Sequence, residues 1–122
     1  MTTVSFFEKD GKILGFEFDG HANYAHEDGI VCASLSALSI STVNSLEEIA
    51  GLNENEEYFV EIYEDDDKDE VKLSFKYRTD DPEKDYISQI LLKSLLLSVK
   101  NIYKEHSDRV ALYVKEVKNV KN

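Results

Sequence analysis

The sequence predicts an α+β fold, a single domain over residues 1–122 with the order ββαββαβ and a mixed sheet packed by two helices. Three observations carry this expectation. Short runs alternate apolar and polar residues near the N-terminus, in the middle and near the C-terminus. Two longer segments repeat their apolar residues at three- and four-residue steps, the helical period. No linker or change of composition divides the chain, and 122 residues suit one domain. Each element has an apolar face, and a sheet covered by helices buries all of them.

In order, Val4 and Phe6 alternate with Ser5 and Phe7, and Leu14, Phe16 and Phe18 alternate with Gly15, Glu17 and Asp19. Asp10-Gly11 between the two runs is a strong hairpin signal. A glycine-bounded loop, Gly20 to about Val31, contains two histidines. Cys32 to Ala50 reads as a helix, because Leu35, Leu38, Thr42, Leu46 and Ile49 share one face and Gly51 supplies a stop. Tyr58, Val60 and Ile62 form one strand face; Val71, Leu73, Phe75 and Tyr77 form the next. Between them, Glu64 to Glu70 carries six acids and one lysine. It reads as a solvated hairpin tip, since the EF-hand pattern with its glycine is absent. Asp81-Pro82 opens the second helix, with aspartate as cap and proline at the first helical position. Its apolar face is expected to run through Ile87, Ile90, Leu91, Leu95 and Ile102, widened by Leu92, Leu96, Val99 and Tyr103. A stripe this wide suggests burial on more than one side, against the sheet and a second chain. Val110 to Val114 is the last strand, followed by a lysine-bearing tail. Strand order stays open.

Composition narrows the class. Apolar residues make up 42% and thirteen residues are aromatic, too many for a disordered chain. No apolar run approaches the ~20 residues of a membrane span; the longest candidate, around Ile90 to Leu97, is broken by Lys93 and Ser94. Met1 to Phe7 lacks the basic start of a signal peptide. One cysteine forms no internal disulfide, so a reducing, cytoplasmic setting is the expectation. The net charge of −11 disfavours direct nucleic-acid contact and anionic membranes and would attract a basic partner.

The chemistry concentrates in Gly20 to Leu38, GHANYAHEDGIVCASLSAL. His21 follows a strand and a glycine, and the only cysteine, Cys32, stands eleven residues later at a helix start. A helix N-terminus presents unpaired N–H groups and about half a positive charge, which stabilise a thiolate, as does a nearby imidazolium. Thiolate and imidazole together can carry out nucleophilic acyl transfer, with the same N–H groups available to the oxyanion. A lone cysteine at a helix start is also, in many proteins, an inert buried apolar residue. His26 with His21 and Cys32 offers three metal ligands, but a fourth and the Cys-x-x-Cys or His-x-x-x-His spacings are missing, so no metal is expected. Ser36 lies one turn after Cys32 on the same face. It contacts substrate or loop, or is simply a small surface residue. Tyr24 either stacks on substrate or packs on the sheet. His106, at the end of the second helix, reads as a surface capping residue favoured by the helix dipole.

Gly20-His21-Ala22, followed by Ile30-Val31-Cys32-Ala33 and Ser36, resembles the signature of the Prp family of bacterial ribosomal-processing cysteine proteases. Tyr24-Ala25 resembles a pair common in the family loop, and length and element order agree. The resemblance implies a cysteine protease with Cys32 as nucleophile and His21 as general base. It implies no cofactor, a homodimer in the cytoplasm, and removal of a short N-terminal extension from the large-subunit ribosomal protein L-twenty-seven. The loop Ala22 to Val31 would cover the substrate cleft, with Gly20 and Gly29 as pivots. The family places aspartate directly before Ile-Val-Cys. Here that position is Gly29 and the aspartate is Asp28, in a His-to-Cys loop one residue shorter. Asp28 would then orient His21 or the loop. The competing expectations are a non-catalytic module that holds a ribosomal protein without cutting it and a dimeric scaffold with an inert thiol.

Overall fold

A computed structural model describes residues 1–20 and 29–118. The elements are β1 (Thr2–Lys9), β2 (Lys12–Gly20), α1 (Gly29–Glu48), β3 (Tyr58–Asp65), β4 (Glu70–Tyr77), α2 (Pro82–Glu105) and β5 (Val110–Glu116). One sheet has the order β3-β4-β2-β1-β5. It is antiparallel except where β5 lies parallel to β1, so the expected mixed sheet and element order both hold. Both helices cover one face, which carries Val4, Phe6, Phe16, Phe18, Leu73, Phe75 and Val110 into the core.

The first hairpin turns on Asp10 (φ 53°) and Gly11 (φ 79°). Two left-handed residues in a two-residue loop match the right-handed twist of the strands. A bulge between Phe7 and Glu8 changes the expected facing: Phe7 pairs with Gly15 but Glu8 pairs with Ile13, leaving Leu14 over. The extra residue turns Ile13 into the core (1% exposed) and leaves Leu14 only half-buried. Gln89 of α2 then secures Ile13. Its side chain accepts from the Ile13 N–H at 2.9 Å and donates to the Ile13 carbonyl at 2.7 Å.

Helix α1 ends at Glu48, two residues before the expected end, so Ile49 leaves the helical face and is exposed. Gly51 (φ 80°) makes the stop, and the Leu52 N–H returns to the Leu46 carbonyl at 3.1 Å. Buried Ser39 donates to the Leu35 carbonyl at 2.8 Å, so its hydroxyl is satisfied inside the core. α1 has the length and composition of a membrane-crossing helix, contrary to the expectation that no apolar run approaches a membrane span. Its serines and threonine break the apolar run without adding charge, so mean hydropathy stays high. Val31, Cys32, Leu35 and Leu46 pack it into the core instead.

The acidic connection is a hairpin tip: β3 ends at Asp65, β4 starts at Glu70, and the Asp65 carboxylate accepts from the N–H groups of Asp67 and Lys68. β3 is an edge strand, and of its expected face Tyr58 is buried, Val60 partly so and Ile62 exposed. At α2, Asp81 caps the helix, accepting from Glu83 N and Lys84 N at 3.0 and 3.2 Å, with Pro82 next. The buried stripe of α2 is Ser88, Leu92, Leu95 and Val99, rotated from the expected one. Ile90 is half exposed, and Ile87, Leu91, Leu96 and Ile102 flank the stripe. The lysine-bearing tail beyond residue 118 lies outside the described residues.

Candidate active site

The site forms where β2 hands over to α1. β2 ends on Gly20, which pairs with Val71 of β4. α1 starts at Gly29, three residues ahead of the expected Cys32, because Ile30 and Val31 continue the helix and Val31 reaches the core. Cys32 is therefore the fourth helical residue. It still lies in the first turn, where the partial positive charge of the helix is concentrated. The first turn of α1 holds no acidic residue.

The Cys32 side chain is fully buried, in the same core cluster as Phe18, Val31 and Leu35. Its sulfur rests against the end of β2, so residues 20 and 32 meet although twelve positions apart. Gly29, Cys32 and Ser36 follow one another at helical steps along α1, with Ser36 half-buried one turn beyond the thiol. His21, Tyr24, His26 and Asp28, and with them most of the loop from Ala22 to Val31, lie outside the described residues. Among the expected site residues, the structure thus brings together Gly20 and Cys32, with Gly29 and Ser36 on the same helix.

A cavity of about 640 Å³ lies between the start of α1 and the end of α2, bordered by Ile30, Val31, Ser34, Ile102, His106 and Arg109. At about 100° per residue, Ile30 and Ser34 lie roughly 160° around α1 from Cys32, so this hollow is on the side away from the sulfur. His106 caps α2 as expected, its backbone N–H reaching the Ile102 carbonyl at 2.9 Å, but it is half-buried at the edge of the cavity rather than on the open surface. Ser34, another lining residue, donates to the Ile30 carbonyl at 2.8 Å. No local motif announces such a hollow, since its walls come from segments about seventy residues apart.

Comparison with known proteins agrees with this arrangement. The family model described as cysteine protease Prp matches residues 1–111. The ribosomal processing cysteine protease Prp of Bacillus subtilis is 31% identical over 103 residues, 83% of this chain and 85% of that protein. The crystal structure of SMU.848 from Streptococcus mutans superposes with a TM-score of 0.80 at 24% identity, covering 96% of each chain, and shares the fold. The essential ribosomal processing protease Prp from S. aureus has been solved with a substrate peptide (TM-score 0.66, 26% identity) and with a covalently linked product peptide (TM-score 0.61, 28% identity). Each match covers 94% of this chain and 100% of that one. The two-helix sheet fold, the thiol on the first turn of α1 and the match over residues 1–111 lead to one conclusion: the chain belongs to the cysteine protease Prp family.

Proposed function

We propose that this chain is a cysteine endopeptidase that removes the N-terminal extension of the bacterial large-subunit ribosomal protein L-twenty-seven, acting as a cytoplasmic homodimer. The observation that carries the reading is the meeting of Gly20 with the Cys32 sulfur on the first turn of α1, in a chain of the cysteine protease Prp family. His21 follows Gly20 directly, so the chain passes the sulfur one residue ahead of the imidazole. The S. aureus relative with a covalently linked product peptide supports a covalent step.

In this reading His21 accepts the thiol proton and Cys32 Sγ attacks the scissile carbonyl carbon. The N–H groups at the start of α1 hold the oxyanion. Protonated His21 then gives its proton to the leaving amine, and water, deprotonated by the same imidazole, hydrolyses the thioester. Asp28 orients His21 or the loop, and Ser36 contacts the peptide from the next turn. Because Cys32 is fully buried, a peptide reaches it only when the groups covering it move aside. The net charge of −11 favours encounter with a basic ribosomal protein. Exposed Ile90 and Leu97 on α2 and Ile30 and Ile40 on α1 support a dimer contact.

The test is incubation with the cognate precursor followed by mass analysis. The reading expects one shortened product from the wild type and none from Cys32→Ser, since a serine hydroxyl is a far weaker nucleophile at such a site. Tight binding of the precursor without cleavage by the wild type would instead identify a holding module. Sedimentation as a stable monomer at micromolar concentration would remove the dimer.

A further inference from the structure

Gly20 has an ordinary strand position and a φ outside the left-handed region, so backbone freedom gives no reason for glycine there. Space does. A Cβ at residue 20 would stand 2.8 Å from Cys32 Sγ and 3.0 and 3.2 Å from Cζ and Cε1 of Phe18. The first distance is shorter than real Cβ contacts, so something must shift. The Phe18 ring is fixed in the core at 2% exposure. The sulfur has one torsion, and in a helix only two of its three staggered positions are readily available. A methyl group at residue 20 therefore drives the thiol out of its position or pushes the first turn of α1 off the sheet.

We propose that Gly20 is a positioning residue for the Cys32 thiol: the missing side chain at the end of β2 is the seat that holds the sulfur in its attacking orientation. The catalytic part of this proposal rests on the protease reading. The seat itself rests on the contact alone. A sulfur displaced by about 1 Å costs roughly a hundredfold in a reaction that depends on orientation, while peptide binding elsewhere is untouched.

The experiment has two readouts. In the first, Tm is measured for the wild type, Gly20→Ala, Cys32→Ala and the double variant. Gly20→Ala is expected to lower Tm clearly when the sulfur is present and by less than half as much when Cys32→Ala has removed it. Equal losses in both backgrounds would overturn the seat. In the second, precursor cleavage is compared for the wild type, Gly20→Ala and Phe18→Leu/Gly20→Ala. kcat is expected to fall at least about tenfold in Gly20→Ala with KM within about twofold. Phe18→Leu, which relieves the ring contact but not the sulfur contact, is expected to recover neither Tm nor kcat. A Gly20→Ala enzyme with wild-type kcat, or recovery of kcat by Phe18→Leu, would overturn the positioning role. A wild type that cleaves no precursor would defeat the protease reading, and the Tm comparison would still decide the seat.

Discussion

The chain makes the same move twice, strand hairpin then helix, and spends the two strand-to-helix connections differently. Between β4 and α2 there are four residues, and three of them, Arg78, Thr79 and Asp81, are tied into the fold by hydrogen bonds. Thr79 donates to Glu57 Oε2 at 2.5 Å, Lys84 reaches Glu57 Oε1 at 2.7 Å, the Arg78 N–H meets the Glu57 carbonyl at 2.8 Å, and Asp81 caps the helix. Acidic Glu83 and Asp85 in the first turn and Lys104 in the last complement the dipole of α2. Between β2 and α1 there are eight residues, with two histidines among them. The first turn of α1 has no acid and its last turn has no base. The first turn of α2 thus carries its own carboxylates, whereas the first turn of α1 carries Cys32 and no acid. The connection into α2 holds the fold, and the connection into α1 carries the residues to which the proposed function assigns chemistry.

That contrast can be broken from the structural side with the largest effect at Gln89. Its side chain bonds both backbone groups of Ile13 and donates to the Tyr77 hydroxyl, which itself donates to Asp85 at 2.9 Å. Gln89→Ala leaves the Ile13 groups unpaired beside the bulge. It is expected to cost about 1–3 kcal/mol in denaturant unfolding. Thiol reactivity at Cys32 should stay at the wild-type level. A parallel loss of thiol reactivity would show that the two regions are not separate.

Glu57 gives a smaller, pH-dependent effect. The hydrogen bonds from Lys84 and then Thr79 hold its carboxyl at about 2, below its ordinary 4.5. A group whose folded value is depressed contributes stability that is complete above the unfolded value and is lost as pH falls through the folded one. Wild type should therefore lose on the order of 1–2 kcal/mol between about pH 4.5 and 2 that Glu57→Gln never had, after allowance for solvent screening. Superimposable acid-unfolding curves for the two proteins would contradict this.

The smallest effect sharpens the other side. Ile30 is 85% exposed in the first turn of α1, so Ile30→Glu is expected to leave the fold intact. The new carboxylate competes with a thiolate for the same helix end, an effect of about 0.3–1 kcal/mol, or roughly two- to fivefold slower alkylation of Cys32 at pH 7. Ile30→Gln should not slow it.

Features set by neighbouring residues were legible in the sequence: the Asp10-Gly11 turn, the Gly51 stop, the Asp81-Pro82 cap and the solvated tip around Asp66. Each depends on contacts within a few positions. What escaped depends on packing between distant segments. The bulge that exchanges Leu14 for Ile13 arises from pairing with β1, and the rotation of α2 onto Leu92 and Val99 is chosen by the sheet beneath it. A lone glutamine on a helix gives no sign that it will secure Ile13. At the site, Cys32 stood out by residue type and helix position, and the need for glycine at residue 20 read as backbone freedom. Only the folded chain shows that the sulfur occupies the space where a side chain would be.

The central claim is that the end of β2 and the first turn of α1 make Cys32 a reactive thiol, with His21 as its partner. The direct measurement is the rate of alkylation of the native protein by iodoacetamide at pH 7, for wild type and for His21→Ala, with Tm recorded for both. The account predicts fast alkylation of Cys32 in the wild type and a clear slowing in His21→Ala at unchanged Tm. Slow alkylation that His21→Ala does not alter would show an inert core thiol and contradict the account.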